Sequence, residues 1–297
     1  ISSNNTCAGA TATANSSIKV DPLPTATTTG THAICQNGSY TLQNGEAGQT
    51  NGTPSWTENG AGSITNGANT LTPTYTANSS DAGNAVTLTM IITATNGCAG
   101  RTAMANYIIN IDLPPTASSP GTQTICENQT AIVNGASSAY GTVGWTENGA
   151  GSITAGANSL TPTYTSAIGD AGNSVILTMT VISNNSCNPQ TAVSTYTVDV
   201  RPNLIVSSSV SQAIVCENDP AQVIFTANNG TPPFTFTYNV NGGAQQTVTT
   251  INGNTTAVVG AQLSPPGTYT YQITNIQDET CSNAVLSSIT KTIVPLP

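Results

Sequence analysis

At 297 residues, with 6% charged side chains and a net charge of −9, the chain departs from the roughly 25% charged composition of ordinary soluble domains. Its basic residues, Lys19, Arg101, Arg201 and Lys291, are scattered, which argues against nucleic acid and against an anionic membrane surface as partners. No run of eighteen apolar residues occurs, so no bilayer-spanning helix is expected.

The organising signal is an internal repeat. Trp-Thr-Glu-Asn-Gly-Ala-Gly-Ser-Ile-Thr stands at Trp56–Thr65 and again, unchanged, at Trp145–Thr154. Leu71-Thr-Pro-Thr-Tyr-Thr76 recurs as Leu160-Thr-Pro-Thr-Tyr-Thr165, and Asp81-Ala-Gly-Asn84 as Asp170-Ala-Gly-Asn173. Self-similarity at a period of about ninety residues means an array of modules. Each is large enough for its own core and small enough to gain from a covalent staple.

In chain order, residues 1–21 parallel the end of a later unit: Ile1-Ser-Ser-Asn-Asn-Thr-Cys7 matches Val181-Ile-Ser-Asn-Asn-Ser-Cys187. They are read as the closing strands of a truncated domain. No signal peptide opens the chain, which is therefore expected to be processed or a piece of a longer one. A full unit is expected over 22–113, with strands at Ser39–Leu42, Pro54–Glu58, near Ser63-Ile64, and at Thr70–Thr76, Ala85–Thr95 and Ala103–Ile111. Asn-Gly pairs at Asn44-Gly45, Asn59-Gly60, Asn66-Gly67 and Asn96-Gly97 supply turns between them. A second unit follows over 114–202. A divergent one spans 203–297, where Phe234-Thr-Phe-Thr-Tyr238 and Gly267-Thr-Tyr-Thr-Tyr271 take the place of the tryptophan. Proline-containing steps at Asp21-Pro-Leu-Pro24, Asp112-Leu-Pro-Pro115, Arg201-Pro202 and Val294-Pro-Leu-Pro297 end strand pairing and stiffen the linkers. The fold class predicted is all-β: tandem immunoglobulin-like antiparallel sandwiches, with Trp56 and Trp145 in the cores.

The seven cysteines sort by repeat position. Cys35, Cys126 and Cys216 each follow an apolar step early in a unit; Cys7, Cys98, Cys187 and Cys281 come late. The simplest pairing keeps each bridge inside its unit: Cys35–Cys98, Cys126–Cys187 and Cys216–Cys281, with Cys7 unpaired. Closing loops of about sixty residues stabilises by roughly 4 kcal/mol each. A sandwich order puts such partners at opposite ends unless the first strand is split, so bridges between units, for example Cys35 with Cys187, stay open as the alternative. No Cys-x-x-Cys pair exists and His32 is the single histidine, so no metal and no cofactor is expected.

Other candidates divide between functional and structural readings. Asp81 and Asp170 offer oxygen to Ca²⁺ or cap a turn through backbone hydrogen bonds, and the second reading is preferred. Glu58 and Glu147 read as solvated strand ends. Trp56 and Trp145 are sugar platforms or core; mid-strand placement favours core. His32 aligns with Gln123 in the next unit, no Ser/His/Asp set assembles, and no catalytic residue is assigned. Sequons such as Asn37-Gly-Ser39, Asn78-Ser-Ser80 and Asn128-Gln-Thr130 reflect composition.

Cys-x-Asn near the start of a unit, Trp-Thr-x-Asn-Gly-Ala-Gly, Leu-Thr-Pro-Thr-Tyr and the late Asn-x-Cys resemble the PKD-like and Ig-like repeats of giant Bacteroidetes surface adhesins. Pro232-Pro-Phe-Thr-Phe-Thr-Tyr-Asn-Val240 with Pro266-Gly-Thr-Tyr-Thr-Tyr271 resembles them too. The resemblance covers nearly the whole chain. It implies an extracellular, cell-surface segment of a gliding-motility type adhesin exported by type IX secretion, a stiff disulfide-stapled stalk rather than an enzyme. Its implied partners are neighbouring repeats, identical chains or surface polysaccharide. The rival reading is a subunit of an extracellular filament or sheath built from identical chains.

Overall fold

A computed structural model describes residues 11–251 and 253–296. Cys7 lies outside them. Two compact units are present: residues 1–114 with 184–189, and residues 115–183 with 190–297.

In the first unit the strands are β1 (Thr25–Thr28), β2 (Thr31–Cys35), β3 (Ser39–Thr41), β4 (Ala47–Thr50), β5 (Gly52–Glu58), β6 (Ser63–Asn66), β7 (Thr74–Thr76), β8 (Ala85–Ala94) and β9 (Thr102–Asp112). They form sheets ordered β2-β9-β8-β5, β3-β7-β6 and β1-β4. β8 and β9 are long because their alternation is unbroken: Val86, Leu88, Met90, Ile92 and Tyr107, Ile109, Ile111 all point inward and are buried. Three strands escape that signal. β1, β2 and β4 are only four or five residues long, with one or no fully buried residue each. The strand expected over 70–76 is confined to 74–76, because Thr70 donates its N–H to the Gly67 carbonyl and holds that segment in a turn.

One expectation is corrected here. The sandwich is not wholly antiparallel: β2 runs parallel to β9, with Cys35 opposite Asp112. The opening strand is indeed split, into β1 on one sheet and β2 on another.

The second unit holds two strand sets. β10 (Thr116–Ser118), β11 (Thr122–Cys126), β12 (Thr130–Ile132), β13 (Ser137–Ala139), β14 (Gly141–Glu147), β15 (Ser152–Ala155), β16 (Thr163–Thr165), β17 (Ser174–Ser183) and β18 (Thr191–Arg201) repeat the first topology strand for strand. Then come β19 (Val206–Val210), β20 (Ile214–Cys216), β21 (Gln222–Ala227), β22 (Thr235–Val240), β23 (Gln246–Thr249), β24 (Thr256–Gly260), β25 (Gly267–Gln277) and β26 (Ser282–Val294). These last form a five-stranded sheet, β20-β26-β25-β22-β23, and a three-stranded one, β19-β21-β24. β11 with β18 and β20 with β26 repeat the parallel pairing. The chain is thus all-β, a tandem of immunoglobulin-like sandwiches.

Trp56 and Trp145 lie in the cores, each 6% exposed, and each indole N–H is satisfied by a carbonyl, of Thr70 and Ser159 respectively, at 2.8 Å. Neither ring offers a face to a ligand. No cysteine belongs to these two core clusters, so the tryptophans do not pack against a bridge. The third set substitutes an aromatic cluster, with Phe225 5.8 Å from Phe236 and 5.1 Å from Tyr238 between ring centres. Its β26 also carries Lys291, 1% exposed, whose ammonium has no hydrogen-bond partner among the described residues; burial pushes its pKa down.

Truncating Trp145 to Ala should cost about 3–5 kcal/mol, read from the urea midpoint. Lys291→Met should do the reverse. A lysine whose folded pKa is depressed penalises folding at every pH below its unfolded value near ~10.4. Removing it should therefore stabilise by about 1–3 kcal/mol at neutral pH, a gain that shrinks as pH rises through the depressed folded pKa and is gone above the unfolded value.

Candidate functional site

The cysteines define the candidate site, and the pairing differs from the one expected. Cys35 is bonded to Cys187, with Cα atoms 4.6 Å apart, and Cys126 to Cys281, at 5.7 Å. Among the described residues Cys98 and Cys216 are free thiols, both half-buried. The within-repeat pairs Cys35–Cys98, Cys126–Cys187 and Cys216–Cys281 do not form, for a reason of length. Cys35 pairs with Asp112 at the far end of β9, whereas Cys98 precedes its near end. Eleven residues of strand hold the two roughly 33 Å apart at about 3.3 Å per residue. A disulfide needs Cα atoms within about 7 Å. The early cysteine of one repeat instead meets the late cysteine of the next.

Local sequence builds both halves. After each early cysteine an asparagine takes a left-handed conformation: Asn37 at φ 60°, Asn128 at 61° and Asn218 at 70°. Asparagine tolerates this better than most residues. It turns the chain so that the N–H three residues after the cysteine returns to the cysteine carbonyl, from Gly38 at 2.8 Å, Gln129 at 3.1 Å and Asp219 at 3.1 Å. Each strand end is also tied to its parallel partner, Gln36 N–H to Asp112 O, Glu127 N–H to Arg201 O and Glu217 N–H to Val294 O.

The late half is an Asn-x-Cys loop. In the first unit Asn185 accepts from the Cys187 N–H at 2.9 Å and donates to the Leu113 carbonyl at 2.9 Å. Ser186 N–H reaches the Asp112 carboxylate at 3.0 Å. The loop is thus latched onto the step that leaves β9. In the second unit Asp278 organises the loop, accepting from Thr280 N–H and Cys281 N–H, while Asn283 and Leu204 exchange two bonds at 3.1 Å. Cys126 and Cys281 join the aromatic core there.

The repeated Trp-Thr-Glu-Asn-Gly-Ala-Gly segment is the scaffold of a second cluster. Asp81, 5% exposed, accepts from Ala61 N–H at 2.6 Å, Gly62 N–H at 2.9 Å, Asn78 N–H at 3.1 Å and the Tyr75 hydroxyl at 2.8 Å. Asp170 repeats this with Ala150, Gly151, Ala167 and Tyr164. Burial alone pushes each carboxyl pKa up, but the donors win and hold both below the usual value; the two tyrosines are pushed well up by burial and by those carboxylates. Gly60 and Gly62 are required because a Cβ on either would strike Tyr75. Asn59 accepts from Thr87 N–H at 2.8 Å. Four donors aimed at one carboxylate leave an anion satisfied by protein, not a cation site. Glu58 is exposed and Glu147 half-buried. No group of three or more His, Cys, Asp or Glu side chains able to hold a metal occurs among the described residues.

A third cluster belongs to the first repeat alone. His32 stacks on Tyr40 with ring centres 3.6 Å apart, and Tyr40 and Tyr107 both donate to Glu46. Burial raises the Glu46 pKa, but bonds from Gln43 N–H and the two hydroxyls overcome it. Gln123 and Ala131 replace His32 and Tyr40 in the second repeat, so the network pins β4 locally and is not part of the repeating design. The equivalence of Cys98, Cys187 and Cys281 was visible in sequence; the choice between bridges within a repeat and bridges from an early cysteine to the late cysteine of the next was left open there, because it depends on which end of a strand each occupies.

No protein-family profile matches the chain, and no curated protein matches it in sequence. Solved structures similar to it include a titin fragment of three immunoglobulin domains, in an E-to-A mutated variant, at 10% identity and a TM-score of 0.45. The match covers 93% of this chain and 98% of that one. Another is the D1-to-D4 ectodomain fragment of ICAM-5, at 14% identity and a TM-score of 0.36, covering 93% and 78%. A third is a Drosophila N-cadherin fragment, at 10% and 0.35, covering 90% and 74%.

Replacing Asp170 by Asn should cost about 2–4 kcal/mol, since the amide presents one oxygen and a donor to four donors. A carboxylate whose folded pKa is depressed stabilises fully above its unfolded value near ~3.9 and loses that contribution as pH falls through the folded pKa. Thermal melts from pH 6 downward should therefore show wild type losing stability below about pH 4, with Asp170→Asn falling less steeply in the same window because Asp81 and Glu46 still titrate there.

Proposed function

We propose that the chain is an extracellular stalk: tandem sandwiches whose successive repeats are locked by interleaved disulfides, carrying load and resisting proteolysis while projecting or multiplying weak contacts. The observation that carries this reading is the overlap of the two bridges. The Cys35–Cys187 and Cys126–Cys281 loops interpenetrate in sequence, so no repeat between them can unravel independently of its neighbour. Disulfides of this kind belong to oxidising compartments, which supports an extracellular location. The low charge and the Thr-, Ser- and Asn-rich strands suit an exposed β surface. Repetition then raises avidity without any strong single contact.

The finer reading is a segment of a giant gliding-type adhesin of the Bacteroidetes, exported by type IX secretion, and it is supported by the repeat motifs alone. Surface polysaccharide is the proposed ligand class for adhesion. No open aromatic platform supports it: a groove lined by Gly141, Val143, Trp145 and Ile182 holds no ionisable side chain, and Trp145 on its wall is only 6% exposed.

Force spectroscopy tests the stalk. Pulled at residues 11 and 296, the reduced chain should release on the order of 1,000 Å at about 3.6 Å per residue. With both bridges intact, tension crosses from Cys35 to Cys187, returns to Cys126 and crosses to Cys281, leaving on the order of 350 Å to extend. Equal extension with and without reductant would remove the mechanical role.

A further inference from the structure

The two unbonded cysteines are not equivalent to each other; each is equivalent to one side of a bridge that is formed elsewhere in the molecule. Cys98 stands in the late frame. Asn96 accepts from Cys98 N–H at 3.0 Å and donates to the Pro22 carbonyl at 2.8 Å, and Gly97 N–H reaches the Asp21 carboxylate at 2.9 Å. Each contact has its counterpart around Cys187, with Asn185, Leu113, Ser186 and Asp112 in the same parts. The sulfur positions agree as well: Cys98 Sγ lies 3.3 Å from the Asp21 carbonyl, and Cys187 Sγ 3.6 Å from that of Asp112.

In the bonded copy the place beside Asp112 is filled by Cys35, delivered by the parallel strand β2. Among the described residues no such strand lies beside Asp21, and residues 12–20 belong to none. Cys98 is therefore latched for a partner arriving along that segment.

Cys216 stands in the early frame. It closes β20, opposite Val294, with Asn218 left-handed at φ 70°, and Asp219 N–H returns to its carbonyl. Cys35 and Cys126 have this same frame, and both are bonded. Within one molecule, then, the early frame is seen joined twice, once to the Asn-x-Cys loop at Cys187 and once to the Asp278-organised loop at Cys281, and one early and one late cysteine are left open.

We propose that Cys98 and Cys216 are complementary open halves of the inter-repeat staple. Each forms a disulfide with a further repeat of this kind: Cys98 with a cysteine of the Cys35 type, and Cys216 with one of the Cys187 type. Bonding is strictly early to late, because only that combination brings a strand end beside a latched loop. The oxidant is a low-molecular-weight disulfide. One thiolate displaces a small thiolate from it to give a mixed disulfide, the second thiolate attacks the protein sulfur of that adduct and expels the other small thiolate. Two electrons pass to the small disulfide and two protons to solvent. The proposal deepens the stalk reading, but it stands on cysteine frames, and its test uses no mechanical readout.

The test is alkylation of the protein as isolated, before any reduction, followed by non-reducing peptide mapping. Fewer than about one in ten molecules should alkylate at Cys98 or Cys216, as for a structural disulfide outside the reach of small thiols. The Cys98 peptide should be joined to one whose cysteine ends an apolar strand and precedes x-Asn, and the Cys216 peptide to one with a cysteine in a polar late loop. If the two are joined to each other, the further repeat is supplied by a second copy of this chain. If each is joined to a peptide outside the 297 residues, it is supplied by another repeat of the array. Both outcomes uphold the early-to-late rule. Recovery of either residue as an alkylated thiol, or like joined to like (Cys98 to Cys98, Cys216 to Cys216), overturns it. In Cys98→Ser the partner cysteine should become alkylatable, while Cys35–Cys187 and Cys126–Cys281 persist; if no further cysteine becomes alkylatable in that variant, Cys98 had no partner and the proposal is overturned.

Discussion

Strand length set against the short reach of a disulfide governs how this molecule is held together. β9, β18 and β26 are 11, 11 and 13 residues long. In each repeat such a strand separates the early cysteine from the late one by several times the span a disulfide tolerates. The parallel pairing of β2 with β9, and of β11 with β18, carries the early cysteine to the end from which the chain leaves for the next repeat. A cysteine placed there can meet only something brought to that exit. The late loop of the following repeat, latched to the exit step by Asn185 and Ser186, is what arrives.

The consequence is energetic as well as geometric. A bridge inside one sandwich would raise that sandwich's stability alone, whereas bridges across repeats couple the unfolding of neighbours. Each sandwich then depends on its own core and on internal polar locks. The Asp81 and Asp170 clusters are such locks, in which a buried carboxylate is offset by four donors. That arrangement tolerates no Cβ at Gly60 or Gly62, and the equivalent Gly149 and Gly151 are held by Tyr164 in the same way, which explains why these glycines recur between repeats. The third strand set abandons the lock along with the tryptophan, and gathers Phe225, Phe234, Phe236 and Tyr238 around the Cys126–Cys281 bridge instead.

Much was legible in the residues themselves. The duplicated Trp-Thr-Glu-Asn-Gly-Ala-Gly segment, the alternation along 85–95 and 103–111, and the Asn-Gly turns determine repeat period, strand order and core, because side-chain period and turn chemistry are local properties. The equivalence of cysteines across repeats was legible in the same way. The tertiary structure alone decided the partners, the presence of β1, β2 and β4, and the parallel strand. Strands of four or five residues with at most one buried side chain carry no hydrophobic period, and whether two cysteines meet depends on which end of an eleven-residue strand each occupies, a distance that sequence separation does not encode.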